Sequence, residues 1–231
     1  MCYFYTYIKE LPASKKNEID KIMDLFNQGD LFATNELKKT EFDLPDAEVI
    51  FYENFFSPDE SNRLYKSLTD KIQWQQDQIK FYGKLIDLPR LTAWYGDPGF
   101  SYTYSGIPMN PHTWNEDLLF IKERIEKESG VEFSSCLLNL YRTGKDSVNW
   151  HQDNEKELGQ NPIIGSVSFG EVRPFQLKHL DREDLKKVDI PLTHGSFLLM
   201  KGATQHYWKH QIPKTTRQIN PRINLTFRII K

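Results

Sequence analysis

The spacing of apolar residues changes character near Gly130. Before this glycine, two stretches have apolar residues at helical spacing, and each opens with a capping signal, Ser57–Glu60 in the first and Asn115–Asp117 in the second. Gly130 ends the second stretch, as a C-terminal glycine commonly does. The apolar positions of the two predicted helices are Leu64, Leu68, Ile72, Leu118, Ile121 and Ile125.

After Gly130 the pattern changes to short runs typical of β-strands, separated by turn residues such as those at 144–146 and 194–195. The predicted strands are Phe133–Tyr141, Ile163–Phe169, Phe175–Lys178, Ser196–Met200 and Arg222–Ile230. Many short strands after two helices predict an α+β fold with a mainly β core, a sandwich or barrel with helices on one side.

The length of 231 residues predicts one main domain, which we place at residues 48–231. Residues 1–47 are more polar and are predicted to form an N-terminal extension with one amphipathic helix at Asn17–Gln28. The start of the chain lacks the pattern of a signal peptide, and no run of about 18 apolar residues occurs. We therefore expect an intracellular monomer without a membrane span, in the cytoplasm of a bacterium or the nucleus of a eukaryote.

Charge and cysteine content narrow the possible functions. The net charge is −2 and the isoelectric point about 6.3, so the chain is not a strongly basic nucleic-acid binder, and any such role must depend on a local patch. The two cysteines, Cys2 and Cys136, are far apart and indicate neither a disulfide framework nor a metal site.

His151 and Asp153 are two residues apart, so on a strand both side chains face the same side. A second histidine from a distant strand would complete a site of two imidazoles and one carboxylate, which leaves three positions of an octahedral Fe(II) ion open for a co-substrate and O₂. His206 and His210 have the same strand parity, and spacing alone does not choose between them.

The segment Arg222–Arg228 alternates polar and apolar residues with a period of two. Two inward-facing arginines need anions, because burying them unpaired costs several kcal/mol. A small dicarboxylate satisfies both, and with an iron site upstream it is interpreted as 2-oxoglutarate. The polar residues of this strand and two more from the strand before the metal motif are Arg222, Asn224, Thr226, Arg228, Asn139 and Tyr141.

The chain resembles the AlkB-type DNA repair dioxygenases over roughly residues 48–231. The likeness is carried by ordered motifs: PRLTAWYGDPGFSYTYSG, NLYRTGKDSVNWHQDNE, SVSFG, HGSFLLM, HQIP and RINLTFR. It implies a double-stranded β-helix (jelly-roll) with flanking N-terminal helices, holding Fe(II) and 2-oxoglutarate. Within the family the chain looks most similar to the branch that repairs double-stranded DNA.

The resemblance also assigns residues. It implies that His210 is the third metal ligand and that Arg222, Arg228, Asn139 and Tyr141 hold 2-oxoglutarate, with Asn224 and Thr226 in the same strand. A nucleotide-recognition region is expected at about residues 75–110. The residues implied to contact the flipped base are Tyr95, Tyr104 and Glu155.

A hairpin at residues 80–84 resembles the family's wedge, which inserts an apolar residue into the duplex and eases base extrusion. The wedge residues would be Phe81, Tyr82 and Gly83. A basic run expected after the His-x-x-Pro motif is diluted here, which predicts weak phosphate binding with a shallow salt dependence. The expected phosphate contacts are Lys80, Lys84, Arg90, Lys214 and Arg217.

The function implied by the resemblance is oxidative demethylation of N-alkylated bases, such as 1-methyladenine and 3-methylcytosine in DNA, with release of formaldehyde and succinate. Three alternatives stay open: the same chemistry on RNA or tRNA, hydroxylation of a protein or small molecule, and a silent nucleic-acid binding module. The sequence does not separate the first of these from DNA repair, since discrimination at the 2′-hydroxyl leaves no residue signature here.

Overall fold

Two antiparallel sheets face each other in the computed structural model, which describes residues 37–81, 83–99, 102–104, 107–109 and 111–231. The larger sheet has seven strands, in the spatial order β1 Lys39–Phe42, β2 Glu48–Tyr52, β13 Ser196–Lys201, β10 Ile164–Gly170, β15 Arg222–Arg228, β8 Ser135–Tyr141 and β5 Leu91–Gly96. The smaller sheet has four, in the order β12 Val188–Leu192, β11 Arg173–His179, β14 Trp208–Ile212 and β9 Val148–His151.

Two hairpins and four helical segments complete the described part of the chain. The hairpins are β3 Gln78–Phe81 with β4 Lys84–Asp87, and β6 Tyr102–Tyr104 with β7 Ile107–Met109. The helices are α1 Pro58–Lys71, α2 Glu116–Ser129, the short α3 Thr204–Tyr207 and a 3₁₀ turn at Lys156–Leu158. Within the described ranges no helix is both long and apolar enough to cross a membrane.

The seven-stranded sheet separates two apolar cores. On its outer face, Leu64 of α1 and Ile121 of α2 pack with strand residues such as Val167 and Leu225. On its inner face, alternate residues of the same strands face the four-stranded sheet. Leu177 and Trp208 of the smaller sheet are buried in this second core. The larger sheet is therefore covered on both faces, and its polar inner residues lie at the centre of the molecule.

The helix ends form as the capping signals predict. The Ser57 hydroxyl accepts from the Glu60 backbone N–H at 3.3 Å, and the Glu60 carboxylate accepts from the Ser57 N–H at 2.9 Å. Asn115 caps α2 through the Leu118 N–H at 2.9 Å. Gly130 has a φ of +72°, a left-handed conformation that glycine adopts without strain.

The predicted fold class and the five predicted strands after Gly130 are confirmed, with ends that differ by a few residues. Seven further strands, β1 to β7, precede Gly130, and of these only the hairpin at residues 80–84 was predicted. These strands have three to six residues each, too few to establish a clear period. The predicted helix at Asn17–Gln28 lies outside the described residues.

The larger sheet begins before residue 48, where the main domain is predicted to start. One compact unit covers Lys38–Lys231. Strand β1 falls inside the predicted extension at residues 1–47, yet it pairs with β2 along its whole length, from Lys39 opposite Tyr52 to Phe42 opposite Val49. The sheet therefore begins about ten residues earlier than the polarity of the segment indicates.

Replacing Ser57 with alanine removes one side of the capping box of α1. We expect the free energy of unfolding to fall by about 1 kcal/mol, because the first turn loses an acceptor for a backbone N–H. Urea unfolding followed by circular dichroism measures this change. Thr216→Ala, at an exposed loop position, serves as the control and should leave the midpoint unchanged; an equally stable Ser57→Ala variant would contradict the role of the cap.

Candidate active site

Three metal-ligating side chains converge at the inner face of the four-stranded sheet. His151 ends β9 and lies directly opposite His210 of β14 in the strand register. Their ring centroids are 4.2 Å apart. Asp153 follows two residues after β9, and one ligand atom from each of the three residues lies within 4.8 Å of the others. Two imidazoles and one carboxylate at this separation are a donor set that fits Fe(II) and leaves positions open.

Each imidazole is prepared as a ligand by its surroundings. The Nδ1 of His151 is 2.8 Å from the carbonyl oxygen of Asn149, so an Nδ1–H donates there and Nε2 is left for the metal. The His210 ring packs against Phe175 at 4.9 Å. Burial, helped by the charge of His151, lowers the pKa of His210 to about 3. The ring is therefore neutral near pH 7, as metal binding requires.

Asp153 is buried and held from two sides. Its carboxylate accepts from Arg228 Nη2 at 2.7 Å, and its backbone N–H donates to the side-chain oxygen of the fully buried Gln205 at 2.9 Å. Burial raises the pKa of Asp153, but Arg228 and the two histidines outweigh that effect and bring the pKa below its usual value. The carboxylate is therefore ionised and fixed in orientation.

The structure resolves the choice between the two candidate histidines. His206 lies on α3, is exposed, and has Nε2 2.8 Å from the side-chain oxygen of Asn161. The parity argument placed His206 beside His210 because it treated residues 205–210 as one strand. A helical turn precedes β14, so the two rings point to different places and His210 is the ligand.

A cavity extends from the metal cluster between the two sheets. The predicted residues Asn139, Tyr141, Asn224, Thr226 and Arg228 all line it. Neighbouring strands pair these positions in register, with Asn224 opposite Asn139 and Arg222 opposite Tyr141. The period-two prediction for β15 is therefore correct, since its polar face is turned into the cavity.

Arg222 lies behind Tyr141 at the end of this cavity. It is fully buried, its Nη2 donates to the Ser168 hydroxyl at 2.9 Å, and its guanidinium carbon is 5.1 Å from the centre of the Tyr141 ring. Nε and Nη1 have no hydrogen-bond partner among the described residues. Burial lowers the pKa of Arg222 to about 10, so it stays charged near pH 7. A buried cation with free donors fits the distal carboxylate of 2-oxoglutarate.

Arg90 does not have the role predicted for it. We expected a phosphate contact, but Arg90 is 4% exposed and lines the cavity. Its Nε donates to the side-chain oxygen of Asn139 at 2.6 Å, and its Nη1 donates to the Ser147 carbonyl at 3.3 Å. Arg90 therefore fixes the orientation of Asn139 in the interior.

The three predicted base contacts have different positions. Glu155 lines a groove that shares His151 and Asp153 with the metal cluster, and its Oε2 is buried with no hydrogen-bond partner among the described residues. Tyr95 is buried in the outer core, 5.2 Å from the His112 ring, and lines neither cavity nor groove. Its position does not support a base contact. Strand β6 contains Tyr104, whose side chain lies outside the described atoms.

The predicted wedge is a hairpin. Phe81 pairs with Lys84, and Gly83 has a φ of +79°, a conformation that favours glycine in a hairpin turn. Tyr82 and the side chains of Lys80 and Phe81 lie outside the description. Three of the five predicted phosphate contacts are exposed, as their role requires: Lys84, Lys214 and Arg217.

Sequence reasoning missed two residues that support the metal ligands. Gln205 accepts from the Asp153 N–H, and Phe175 packs on His210. Phe175 had a signal, because it alternates with other buried residues of β11. Gln205 had none, since its contact depends on the chain reversing direction at α3.

Comparisons with known proteins agree with this geometry. A model of the 2OG-Fe(II) oxygenase superfamily matches residues 48–228. Human alpha-ketoglutarate-dependent dioxygenase alkB homolog 3 is 42% identical over 193 residues, covering 80% of this chain and 66% of the human protein, just under two thirds. Mouse DNA oxidative demethylase ALKBH2 is 34% identical over 188 residues, covering 78% of this chain and 79% of the mouse protein. A solved structure described as that of OsALKBH1 covers 78% of this chain and 96% of its own, with a TM-score of 0.56 and 15% identity, and supports the fold alone.

The superfamily match includes the whole metal cluster and all of β15, and the chain belongs to the 2OG-Fe(II) oxygenase superfamily. Within it, the similarity to alkB homolog 3 and ALKBH2 places the chain among the AlkB-type dioxygenases. Identity is higher to alkB homolog 3 than to ALKBH2, so these values do not assign the chain to a double-strand-acting branch.

Replacing Asp153 with asparagine should abolish Fe(II) binding, because a neutral amide is a weak ligand and no longer offsets the buried charge of Arg228. Iron content after anaerobic reconstitution measures this, with thermal unfolding as a check on the fold. Asp181→Asn, at an exposed position in the loop after β11, is the matched control. Iron bound at the wild-type stoichiometry in the Asp153 variant would exclude this carboxylate as a ligand.

Proposed function

We propose that this protein is an oxidative demethylase of N-alkylated bases in DNA, with 1-methyladenine and 3-methylcytosine as substrates. The proposal is supported above all by a groove that shares His151 and Asp153 with the metal cluster and contains the buried Glu155 Oε2, which has no hydrogen-bond partner among the described residues. A DNA substrate would place the enzyme in the nucleus of a eukaryotic cell or the cytoplasm of a bacterium.

One set of residues would bind the metal and another would bind the co-substrate. His151, Asp153 and His210 would hold Fe(II), and Asn139, Tyr141, Arg222 and Arg228 would hold 2-oxoglutarate. When bound, Fe(II) with 2-oxoglutarate and O₂ supplies the oxidation that converts an N-methyl group to formaldehyde while 2-oxoglutarate becomes succinate and CO₂. Arg228 would help to fix both partners, because it donates to Asp153 and also lines the cavity.

The groove gives the base a path to the metal. It is lined by Ile79 of the β3–β4 hairpin, by Pro89, and by Trp150 and His151. A flipped base lying in it would bring its methyl group close to the metal ligands. The β3–β4 hairpin, which contributes Ile79 to the groove, would interrupt base stacking, and this supports action on a duplex.

Glu155 favours a cationic base. An N-methylated adenine or cytosine carries a positive charge when its ring nitrogen is alkylated, whereas an undamaged base is neutral. The buried Oε2 of Glu155 has no partner among the described residues, so a cationic ring with an exocyclic N–H would stabilise it by charge and hydrogen bonding. The same carboxylate gives no such advantage to a normal base.

The proposed activity is tested by formaldehyde and succinate release from oligonucleotides containing 1-methyladenine. Matched single-stranded DNA, double-stranded DNA and RNA are compared, each with and without 2-oxoglutarate and with Asp153→Asn as the inactive control. We expect 2-oxoglutarate-dependent formaldehyde release from DNA. A methylated oligonucleotide that released no formaldehyde and did not stimulate succinate formation would favour hydroxylation of a protein or small molecule instead.

Glu155→Gln should lower kcat/KM for 1-methyladenine DNA by roughly tenfold, because a neutral amide loses the charge-assisted contact with the cationic ring. Binding of 2-oxoglutarate should not change, since Glu155 does not line that cavity. Glu157→Gln, two residues further along and outside the groove, is the control. Equal kcat/KM in wild type and Glu155→Gln would remove the residue from base recognition.

A further inference from the structure

A second buried guanidinium lies close to Tyr141. Arg222 reaches the tyrosine from β15 of the larger sheet, and Arg173 reaches it from the first position of β11 in the smaller sheet. Their guanidinium carbons are 5.1 Å and 5.9 Å from the Tyr141 ring centre. Tyr141 itself lines the cavity assigned to 2-oxoglutarate. The two sheets thus bring two cations to one tyrosine of the cavity wall, and both arginines lie behind that wall.

The hydrogen bonds of both arginines are incomplete. Arg173 is 2% exposed and uses only Nη2, which donates to the carbonyl oxygens of Asp146 and Pro213. Arg222 donates from Nη2 to Ser168, and a hydrogen bond to the Tyr141 side chain also favours its charged form. The Nε and Nη1 atoms of both side chains have no partner among the described residues. Four buried nitrogen donors around one tyrosine are therefore left for a ligand.

Among the described residues, no carboxylate accepts a hydrogen bond from Arg173 or Arg222. Asp146 attracts Arg173 through space, but its carboxylate accepts from Arg142 Nε at 2.8 Å and from Arg142 Nη2 at 3.1 Å. The charges of Arg173 and Arg222 also repel each other, which contributes to the lowered pKa of Arg222. Two like charges with free donors in a buried site are stable only when an anion lies between them.

We propose that Arg173 is a second binding residue for the distal carboxylate of 2-oxoglutarate, which it holds together with Arg222 and the Tyr141 hydroxyl. The inference depends on 2-oxoglutarate being the co-substrate. It differs from a purely structural role, in which Arg173 only tethers the loops at Asp146 and Pro213. Arg173 could not be found by periodicity on β15, because it comes from the opposite sheet.

The test compares two ligands that differ only at the distal end. 2-Oxopentanoate has the same chain length as 2-oxoglutarate and the same 2-oxo acid group, but a methyl group replaces the distal carboxylate. Calorimetry on Fe(II)-loaded protein without oxygen gives Kd for both ligands. The Kd of 2-oxopentanoate divided by the Kd of 2-oxoglutarate measures recognition of that carboxylate alone. The variants are Arg173→Gln and Arg173→Lys, with Arg182→Gln as control, since Arg182 is exposed and paired with Asp184.

We expect Arg173→Gln to reduce the ratio by roughly tenfold to a hundredfold, the usual effect of losing a charged hydrogen-bond partner. Arg173→Lys should reduce it less, because it keeps the charge but cannot serve the two carbonyls and the ligand together. The control should keep the wild-type ratio. The proposal is overturned if Arg173→Gln weakens the binding of both ligands equally. If Arg173→Gln does not fold, the proposal is overturned by an Arg173→Lys variant that keeps the wild-type ratio.

A different result would contradict the proposed function. Wild-type protein that binds 2-oxoglutarate no better than 2-oxopentanoate would contradict a dicarboxylate co-substrate, whatever Arg173 does. Wild-type discrimination that persists in both Arg173 variants would contradict only the role of Arg173 and leave the cofactor assignment intact.

Discussion

The register between β9 and β14 is the constraint on which the metal cluster depends. It sets His151 opposite His210, and the pairing shifts between His210 and Ile212, where Val148 is the next partner. Between these pairs one residue of β14, Gln211, opposes two of β9, Asn149 and Trp150, which is a β-bulge. Without it Val148 and His151, three positions apart, would face opposite sides of the sheet, yet both line the cavity. The bulge turns His151 inward at the end of its strand.

Charge balance in the interior explains why the metal and the co-substrate belong to one site. Arg228 connects Asp153 to the cavity, so the metal ligand and the dicarboxylate pocket share a cation. Arg90 orients Asn139 from the other side, and Arg222 lies behind Tyr141. Several buried cations around few carboxylates are costly in the empty protein and are compensated when a dianion binds. Specificity for a dicarboxylate follows from this electrostatic excess.

The predictable parts of the site were those set by local repetition. Alternation along β15 identified its polar face, because it depends only on the strand repeat. The spacing of His151 and Asp153 identified the metal motif although β9 ends at His151 and Asp153 lies just beyond the strand. Capping residues identified the helix ends because a cap depends only on residues a few positions apart in the chain. The parity argument for His206 failed since a helical turn interrupts the strand, and Tyr95 falls on the outer face of β5 although it lies in a family motif.

Residues brought together by the topology could not be predicted in this way. Arg90 and Asn139 are far apart in the chain, and their contact exists because the region before β5 lies against β8. Gln205 reaches Asp153 through a chain reversal, and Arg173 reaches Tyr141 from the other sheet. A single sequence shows that these side chains are polar or charged but not that they are buried. Arg90 was predicted to contact phosphate at the surface, the usual position of arginine, and no role was predicted for Arg173.

The two ends of the interior carry opposite charge, and this separates the two organic ligands. Arg173 and Arg222 lie beside Tyr141 at one end, whereas the groove that contains His151 and Asp153 is also lined by Glu155, whose Oε2 has no hydrogen-bond partner among the described residues. In the proposed function an anionic co-substrate would be drawn to the arginines and a cationic alkylated base would lie beside Glu155, with the metal ligands between them. Selection by the charge of the base would not require a strongly basic surface, which agrees with a net charge of −2.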